Sequence, residues 1–347
     1  MTIYWLLFAI PAFATFTSDQ RFAGAKREGW IIVWAVFVLA IGYRREIGCD
    51  WEPYVYLLEL TRGMHITETW QIIDPGYATI DWFVGNVLDS DIFAVNLISG
   101  AIFVTGLIAF VRQQPSPSLA LAVSVPYLVV VVAMGYTRQS IALGLIFWGL
   151  ARLLDKPAWQ YVVIVCLASF FHKTALLMLP IGLVAASRSQ LAKALAISLL
   201  GVVLTYVLLS EHYESLWLHY VEEEMESEGG AIRVWMNALP TIFMLAVWKR
   251  WKERYSDYRV WFWIGMMSLL CVPLVSLAST AVDRVALYFT PIQLVVLSRL
   301  PELVRNEFMR PVWRFAGIAL YATVLWVWLT RSIHADLCWL PYQTPWF

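Results

Sequence analysis

The chain has 347 residues, of which 60% are hydrophobic and 14% are charged. A soluble domain usually has about 25% charged residues, so this composition excludes a protein whose whole surface faces water. Lys plus Arg and Asp plus Glu are equal at 25 each, which argues against a nucleic-acid partner, because such proteins carry a basic excess.

Long apolar runs follow one another along the chain and predict membrane-spanning α-helices rather than alternating β-strands. The first run, residues 3–16, has no basic segment before it and no A-x-A-like site after it, so we interpret it as a first span rather than a removable signal peptide. A bilayer core about 30 Å thick needs about 20 helical residues, and fewer where a helix stops short. The candidate spans are 2–17, 30–43, 91–111, 119–134, 138–152, 158–172, 174–187, 194–210, 231–248, 260–277, 284–300 and 312–332. We therefore expect an all-α polytopic membrane protein with about 12 transmembrane helices, forming one integral-membrane domain over residues 1–347.

The basic residues are distributed unevenly between the two sides of this arrangement. Seventeen of the 25 Lys and Arg residues lie in the connections of one side, and eight lie on the other. Because basic residues are retained in the cytoplasm, the first side is predicted to be cytoplasmic and both termini to lie outside. All five histidines and two longer segments, about 44–90 and 211–230, then lie on the outer side. We expect the chemistry at the outer face and no soluble cytoplasmic domain.

Two helical hairpins are short, which predicts a recessed, outward-facing cavity. Each arm around the tips at 135–139 and 172–174 has about fifteen residues and reaches about 23 Å at 1.5 Å per residue. These tips therefore lie below the outer surface, where ionisable groups face the protein interior or a wet cavity. The acidic and aromatic segment 211–230 is predicted to form a helix on the membrane surface, or a lid over the cavity.

Arginines and carboxylates at several outer turns are candidates for the chemistry. Arg44 and Arg45 are either helix anchors or ligands for phosphate, which arginine binds bidentately, and Asp50 either holds an arginine or acts as a base. Arg138 and Arg284 lie at two further outer turns. Asp283 is either a helix cap or a partner of an arginine. Three arginine-bearing turns around one cavity suit an anionic ligand that carries phosphate.

His172 is the only histidine predicted to lie near bilayer depth. It is either a satisfied core histidine or a proton acceptor. The neighbouring Lys173 would depress the pKa of His172 and keep the imidazole neutral.

Neither a metal site nor a disulfide is expected. Asp89-Ser90-Asp91 has the D-x-D spacing of some metal-dependent glycosyltransferases, but it precedes an apolar helix, where Asp is a favoured N-cap. The four cysteines are far apart and include no C-x-x-C pair, so they predict neither a zinc site nor a disulfide framework and receive no role: Cys49, Cys166, Cys271 and Cys338.

A series of motifs resembles the EpsG family of Wzy-type polysaccharide polymerases, which make O-antigen, exopolysaccharide or capsule. In chain order these motifs are Tyr43-Arg44-x-x-x-Gly48-x-Asp50-Trp51-x-x-Tyr54, Asp74-Pro75-Gly76-Tyr77, Arg138-Gln139-Ser140-Ile141-Ala142, Phe171-His172-Lys173-Thr174-Ala175, Asp283-Arg284 with Tyr288, Pro291 and Gln293, and Trp339-Leu340-Pro341-Tyr342. The family usually has Glu at the position of Asp74 and an aromatic or small residue at that of Arg45. Arg45 is therefore a weaker candidate than Arg44.

The resemblance implies a glycosyltransferase of the GT-C type in the bacterial inner membrane that works without a nucleotide sugar, so we expect a GT-C-like helical bundle with short periplasmic helices and no cofactor. Its donor and acceptor would be glycans linked to undecaprenyl diphosphate, and the growing chain would be transferred as a block at the periplasmic face. Our own mechanistic hypothesis is a direct displacement with inversion that needs no metal, because arginines from several outer turns would neutralise the leaving diphosphate. A chain-length regulator and a flippase are possible further partners.

The resemblance and the residues together assign a role to each candidate. Arg138 and Arg284 would stabilise the leaving diphosphate, and His172 or Asp50 would be the general base, with His172 favoured. The expected substrate-binding residues are Arg44, Arg45, Tyr54, Asp74, Tyr136, Gln139, Lys173, Asp283 and Tyr288. A transporter or flippase of lipid-linked oligosaccharide, a glycan ligase and a membrane O-acyltransferase remain alternatives. Internal repeats, which are typical of many transporters, are not evident in the sequence.

Overall fold

The computed structural model describes residues 1–17, 27–153, 155–180 and 229–346. Within these ranges the secondary structure is helical, apart from one isolated β-bridge between Arg45 and Gln343. The helices are α1 Thr2–Thr17, α2 Arg27–Gly42, α3 Trp51–Thr61, α4 Ile66–Thr69, α5 Pro75–Asn86, α6 Ile92–Val111, α7 Pro117–Ser124, α8 Thr137–Arg152, α9 Ala158–Ser169, α10 Gly230–Ala246, α11 Trp248–Arg254, α12 Tyr258–Leu274, α13 Ser279–Ala286, α14 Pro291–Leu303, α15 Arg310–Arg331 and α16 Ile333–Cys338. Three 3₁₀ turns, Lys173–Leu177, Leu287–Phe289 and Glu307–Met309, and a π-helix, Val125–Ala133, complete the described fold.

Each candidate membrane segment that lies wholly within the described ranges contains a helix, which confirms the all-helical prediction there. Two described helical stretches are long and apolar enough to cross a membrane, Ile92–Val111 and Glu307–Arg331. Two more pass if each bent pair is one span: α10 with α11, bent by 83°, and Ser279–Phe289 with α14, bent by 47°. The number of about twelve spans stays a prediction. The candidate 194–210, half of 174–187 and nearly all of 211–230 lie outside the described residues.

The helix α7 and the π-helix that continues it occupy the centre of the described bundle. Most of their side chains are apolar, and every residue from 117 to 133 is buried, as expected for a helix without a solvent-facing stripe. Pro126 has no backbone N–H to donate and stands at the start of the π-helix. The π-helix ends at Ala133, and residues 134–136 connect it to α8, which begins at Thr137.

Two helices that flank this centre, α6 and α8, meet through glycines. A Cβ atom on Gly106 would lie 1.7 Å from the carbonyl oxygen of Gly144, so the two backbones touch where neither residue has a side chain. This close contact fixes α8, whose first turn carries Arg138 and Gln139.

The segment 44–90 contains the helices α3, α4 and α5, in agreement with the prediction of short helices there. The backbone N–H of Gly76 donates to the carbonyl oxygen of Phe170 at 2.8 Å, and a Cβ atom at Gly76 would lie 2.9 Å from that oxygen. This contact brings the start of α5, with Asp74, next to the turn that carries His172.

The expectation that the cysteines form no disulfide was wrong. Cys49, in the loop before α3, is bonded to Cys338 at the end of α16, while Cys166 and Cys271 are free. A spacing rule could not find this pair, because 289 residues separate its members and only the tertiary fold brings them together.

Candidate active site

A cavity of about 420 Å³ lies where the segment 44–90 meets the ends of α8, α9, α10 and α13. Ten of the thirteen predicted site residues are among its described lining residues. The whole described lining is Asp50, Tyr54, Asp74, Tyr127, Tyr136, Arg138, Gln139, His172, Lys173, Thr174, Arg233, Thr280, Asp283, Arg284 and Leu287. Residues from distant parts of the sequence thus converge on one polar cavity.

Arg138 is oriented by Asp74. The Nη1 atom of Arg138 donates to the Oδ2 atom of Asp74 at 2.7 Å, and the side chains are 36% and 11% exposed. Asp74 is the residue before α5 and makes no capping bond to that helix, so its carboxylate is available to the arginine. Arg138 thus lines the cavity with a guanidinium that Asp74 holds in place.

Asp283 is held by an arginine that the sequence analysis did not select. Its two carboxylate oxygens accept bonds from Nε and Nη2 of Arg233, both at 2.7 Å, which is the bidentate geometry of a strong charged pair. The pair connects α10 with α13 and is mostly buried. Asp283 therefore fixes Arg233, and its expected role in binding substrate stays a prediction. The available signal was that Arg233 is one of the eight basic residues on the predicted outer side.

His172 lies beyond the end of α9 and has a hydrogen-bonding partner at each ring nitrogen. Its Nε2 atom is 3.1 Å from the side-chain nitrogen of Gln139, and its Nδ1 atom is bonded to the hydroxyl of Thr174. Since an amide nitrogen only donates, Nε2 accepts a hydrogen bond from Gln139. The Nδ1 atom then carries the proton and donates a hydrogen bond to the hydroxyl oxygen of Thr174.

The surroundings of His172 make it a weak base. Burial, together with the positive charges of Arg138, Arg284 and Lys173, lowers the pKa of His172 to about 3. The predicted effect of Lys173 therefore has the right sign but is the smallest of these causes. The imidazole is neutral at pH 7, but its affinity for a proton is low.

Asp50 has the opposite shift. Burial raises the pKa of the Asp50 carboxyl above its usual value of 3.8, and the nearby Arg138 and Arg284 offset part of this effect. Asp50 precedes α3 without making a side-chain capping bond, so its carboxylate is not used by that helix. A carboxylate that faces a cavity and holds a proton more tightly than usual has the properties of a general base.

Arg44 does not line the cavity. It is 2% exposed, and its guanidinium donates to the carbonyl oxygen of Ile41 at 2.6 Å and to the hydroxyl of Thr137 at 2.9 Å. Burial lowers the pKa of Arg44 to about 10, so the side chain keeps its charge at pH 7. The interpretation of Arg44 as a direct phosphate ligand is therefore replaced by a supporting role beneath the first turn of α8.

Two further predicted residues lie outside the described lining. Arg45 is exposed and pairs with Glu46 at 3.1 Å, which fits its weaker status in the sequence. Tyr288 is fully buried, and its ring centre is 6.4 Å from that of His172, so it supports the histidine from behind.

The Asp89-Ser90-Asp91 sequence has the structural role that was predicted for it. The carboxylate of Asp91 accepts a bond from the backbone N–H of Phe93 at 3.1 Å and caps α6. Asp89 pairs with Arg62 at 3.1 Å and is not among the described lining residues of the cavity.

One comparison with known proteins gave a match to a protein family. The sequence model of the EpsG family matches residues 29–344, which is nearly the whole chain. Neither the search of curated proteins nor the search of solved structures gave a match.

Proposed function

The chain belongs to the EpsG family, which is associated with Wzy-type polymerases, and we propose that it is a membrane glycosyltransferase that polymerises lipid-linked polysaccharide repeat units. The donor is a glycan on undecaprenyl diphosphate, and the acceptor is a new repeat unit on the same type of carrier. The growing glycan is transferred as a block onto the non-reducing end of the acceptor.

The observation that carries this proposal is the convergence of positive charge in the cavity. Four of its described lining residues are cationic, and three are carboxylates: Arg138, Arg233, Arg284 and Lys173, against Asp50, Asp74 and Asp283. A leaving diphosphate develops negative charge, and cations that are already fixed in place stabilise it without reorganisation. Arg138 and Arg284 are the side chains we assign to this role, and the cations give the charge neutralisation that a metal ion provides elsewhere.

The reaction we propose is a direct displacement with inversion. The acceptor hydroxyl oxygen forms a bond to the anomeric carbon of the donor glycan, while the bond from that carbon to the diphosphate oxygen breaks. The hydroxyl proton passes to the base, and undecaprenyl diphosphate leaves with the electron pair of the broken bond.

Asp50 suits the base role better than His172, which the sequence favoured. A general base works best when its pKa approaches the working pH, and burial moves the pKa of Asp50 in that direction and the pKa of His172 away from it. The Nε2 lone pair of His172 is also occupied by Gln139. We assign His172 and Gln139 to positioning of substrate, with Lys173, Tyr54 and Tyr136 as further binding groups.

The proposed orientation places the cavity at the periplasmic face of the bacterial inner membrane, with segment 44–90 outside. Two independent observations support it. The basic residues favour the opposite side by 17 to 8. The disulfide between Cys49 and Cys338 lies on the cavity side, and disulfides persist in oxidising compartments such as the periplasm.

Reconstitution tests the function. Purified protein in proteoliposomes should extend a defined undecaprenyl-diphosphate-linked repeat unit into a ladder of longer glycans. Arg138→Ala should reduce polymer formation by about 100-fold, on the scale of losing one preorganised charge stabiliser. Arg138→Lys should also be impaired, because lysine keeps the charge without the bidentate geometry.

Arg331→Ala is the matched control, since Arg331 is an exposed arginine on the same predicted side. It should retain wild-type activity. Translocation of the lipid-linked unit without chain growth would replace the proposal with a transporter. Transfer only to a lipid A core or protein acceptor would indicate a ligase, and dependence on an acyl donor would indicate an acyltransferase. Association with a chain-length regulator or a flippase stays a prediction.

A further inference from the structure

Residues 338–343 lie next to the loop that carries Asp50. We define the Asp50 loop as residues 43–50 and the C-terminal latch as residues 338–343. The disulfide from Cys49 to Cys338 joins the two segments covalently. Two backbone hydrogen bonds connect them further: the N–H of Gly48 donates to the carbonyl oxygen of Cys338 at 2.8 Å, and the N–H of Arg45 donates to that of Gln343 at 3.0 Å.

The C-terminal latch is itself fixed in the centre of the bundle. Trp339 is 2% exposed, and its indole N–H donates to the carbonyl oxygen of Val130, in the π-helix, at 2.8 Å. The hydroxyl of Tyr4 in α1 donates to the carbonyl oxygen of Trp339 at 2.7 Å. The hydroxyl of Tyr342 donates to the carbonyl oxygen of Ala40 in α2 at 2.7 Å. The latch thus spans three helices of the core.

Both sides of this contact lead to cavity residues. A Cβ atom on Gly135 would lie 2.7 Å from the ring of Trp339, so the indole packs directly on the connection, residues 134–136, that leads into α8 and Arg138. Gly48 has a φ of +96°, and a Cβ atom there would lie 2.5 Å from the carbonyl oxygen of Met134. The Asp50 loop and residues 134–136 are therefore packed against each other, and the latch contacts both.

We propose that the C-terminal latch positions Asp50 for catalysis and that the disulfide locks it in place, an inference that rests on the proposed function. Cys49 is the direct neighbour of Asp50, so release of its sulfur frees the backbone that aims the carboxylate. Cys338 and Trp339 are positioning residues, because they act through the loop and are not among the described lining residues of the cavity.

The lock closes by oxidation. Two thiols become one disulfide, with loss of two protons and two electrons. The oxidant is another disulfide, which takes up both by thiol–disulfide exchange and is reduced to two thiols. The enzyme therefore reaches its competent form only after the cavity side has met an oxidising compartment.

The first test is structural and needs no substrate. Hydrogen exchange of purified protein in detergent, followed by mass spectrometry, reports on residues 44–51 with and without a phosphine reductant. Exchange at the amides of Arg45 and Gly48 should become faster after reduction, since their acceptors lie in the latch. The double variant Cys49→Ser with Cys338→Ser should exchange rapidly under both conditions. Cys166→Ser, which removes a free thiol, should behave like wild type.

The second test is kinetic. Reduction of wild-type protein should lower kcat of polymerisation by about 10- to 100-fold, the effect expected when a catalytic group is displaced by about 1 Å. KM for the lipid-linked unit should change less than twofold if substrate binding is preserved. Trp339→Ala should lower kcat in the oxidised enzyme, and Trp339→Phe should restore part of it, because the ring still packs on Gly135.

Free thiols at both positions of the purified wild-type enzyme, or an unchanged kcat in the folded double cysteine variant, would overturn the latch while leaving the polymerase assignment intact. Oxidised wild-type protein that forms no polymer would overturn the proposed function, and the kinetic role of the latch with it.

Discussion

The side chains of Gln139 and His172 are hydrogen-bonded to each other, with 3.1 Å between the amide nitrogen and the Nε2 atom of the imidazole. The first residue lies in the first turn of α8 and the second lies beyond the end of α9, so the bond joins two helix ends across the cavity. It also occupies the lone pair that a general base would need. This bond supports our proposal that His172 positions substrate and that another group accepts the proton.

Replacement of His172 by glutamine tests that assignment. His172→Gln removes the imidazole but keeps a polar side chain, and we expect kcat to fall by no more than about tenfold, the scale of one lost hydrogen bond. Asp50→Asn removes the proposed base and should lower kcat by about 10² to 10⁴-fold. Both are measured as polymer formed per minute in proteoliposomes. A folded His172→Gln enzyme as inactive as Asp50→Asn would return the base role to histidine.

The pH dependence of polymerisation distinguishes the same two residues. Asp50 must be ionised to accept a proton, and its pKa is raised by burial, so activity should fall as pH is lowered through a value above 3.8. His172 has a pKa of about 3 and should produce no step near pH 6.5. The acid limb should persist in His172→Gln and should be absent from the residual activity of Asp50→Asn. A limb that disappears with His172 instead would contradict the assignment of Asp50.

The sequence predicted features that depend on neighbouring residues. The helical nature of the described segments follows from continuous apolar runs, and the cap formed by Asp91 follows from its place before such a run. The structure brings Asp50, Arg138, His172 and Arg284 to one cavity. The recessed, outward-facing position that hairpin length and the basic residues indicate for this cavity stays a prediction. These features depend on the order of residues along the chain, which can be read directly from the sequence.

Other features depend on tertiary contacts that the sequence does not state. Arg44 and Arg138 are both arginines at outer turns, but the hydroxyl of Thr137 and the carbonyl of Ile41 bind Arg44 beneath the cavity. The pairing of Cys49 with Cys338 spans nearly the whole chain. In both cases the role of the residue depends on a partner whose separation along the chain follows no rule.

A buried acid behind the cavity gives a prediction about stability. Asp81 in α5 is 0% exposed, neither carboxylate oxygen has a hydrogen-bond partner among the described residues, and burial raises its pKa to about 8. The folded state therefore binds the proton more tightly than the unfolded state. The contribution of Asp81 to the free energy of unfolding should be complete below pH 3.8. It should decrease by about 1.4 kcal/mol per pH unit as pH rises towards 8. Asp81→Asn should remove this part of the pH dependence, measured by thermal denaturation in detergent at pH 5 and pH 8. Equal pH dependence in the variant and wild type would show that Asp81 is ionised or solvated in the folded protein.

The pair between Arg233 and Asp283 should be energetically coupled. Removal of either partner leaves a mostly buried charge without its bidentate partner, so each alanine variant should be destabilised, and the double variant by less than the sum. We expect a coupling energy of about 1 to 3 kcal/mol from a double-mutant cycle of denaturation in detergent. The exposed pair of Arg45 and Glu46 is the control and should couple by less than about 1 kcal/mol. Equal coupling in the two pairs would mean that the burial of the first has no energetic consequence.

The predicted topology can be tested in intact cells by labelling single cysteines introduced where Cys166 and Cys271 are replaced by serine. Glu68 and Lys252 are both exposed, and they lie on opposite predicted sides, the first in the segment 44–90 and the second in α11. A membrane-impermeant maleimide should label Glu68→Cys directly, because that segment is predicted to face the periplasm after the outer membrane is made permeable. Lys252→Cys should react only when the inner membrane is opened as well, which serves as proof that the residue is accessible. Labelling of Lys252→Cys in intact inner membranes, with Glu68→Cys protected, would place the cavity on the cytoplasmic side. In that position the carrier-linked glycans would reach it before export, and the disulfide would have to form in a reducing compartment.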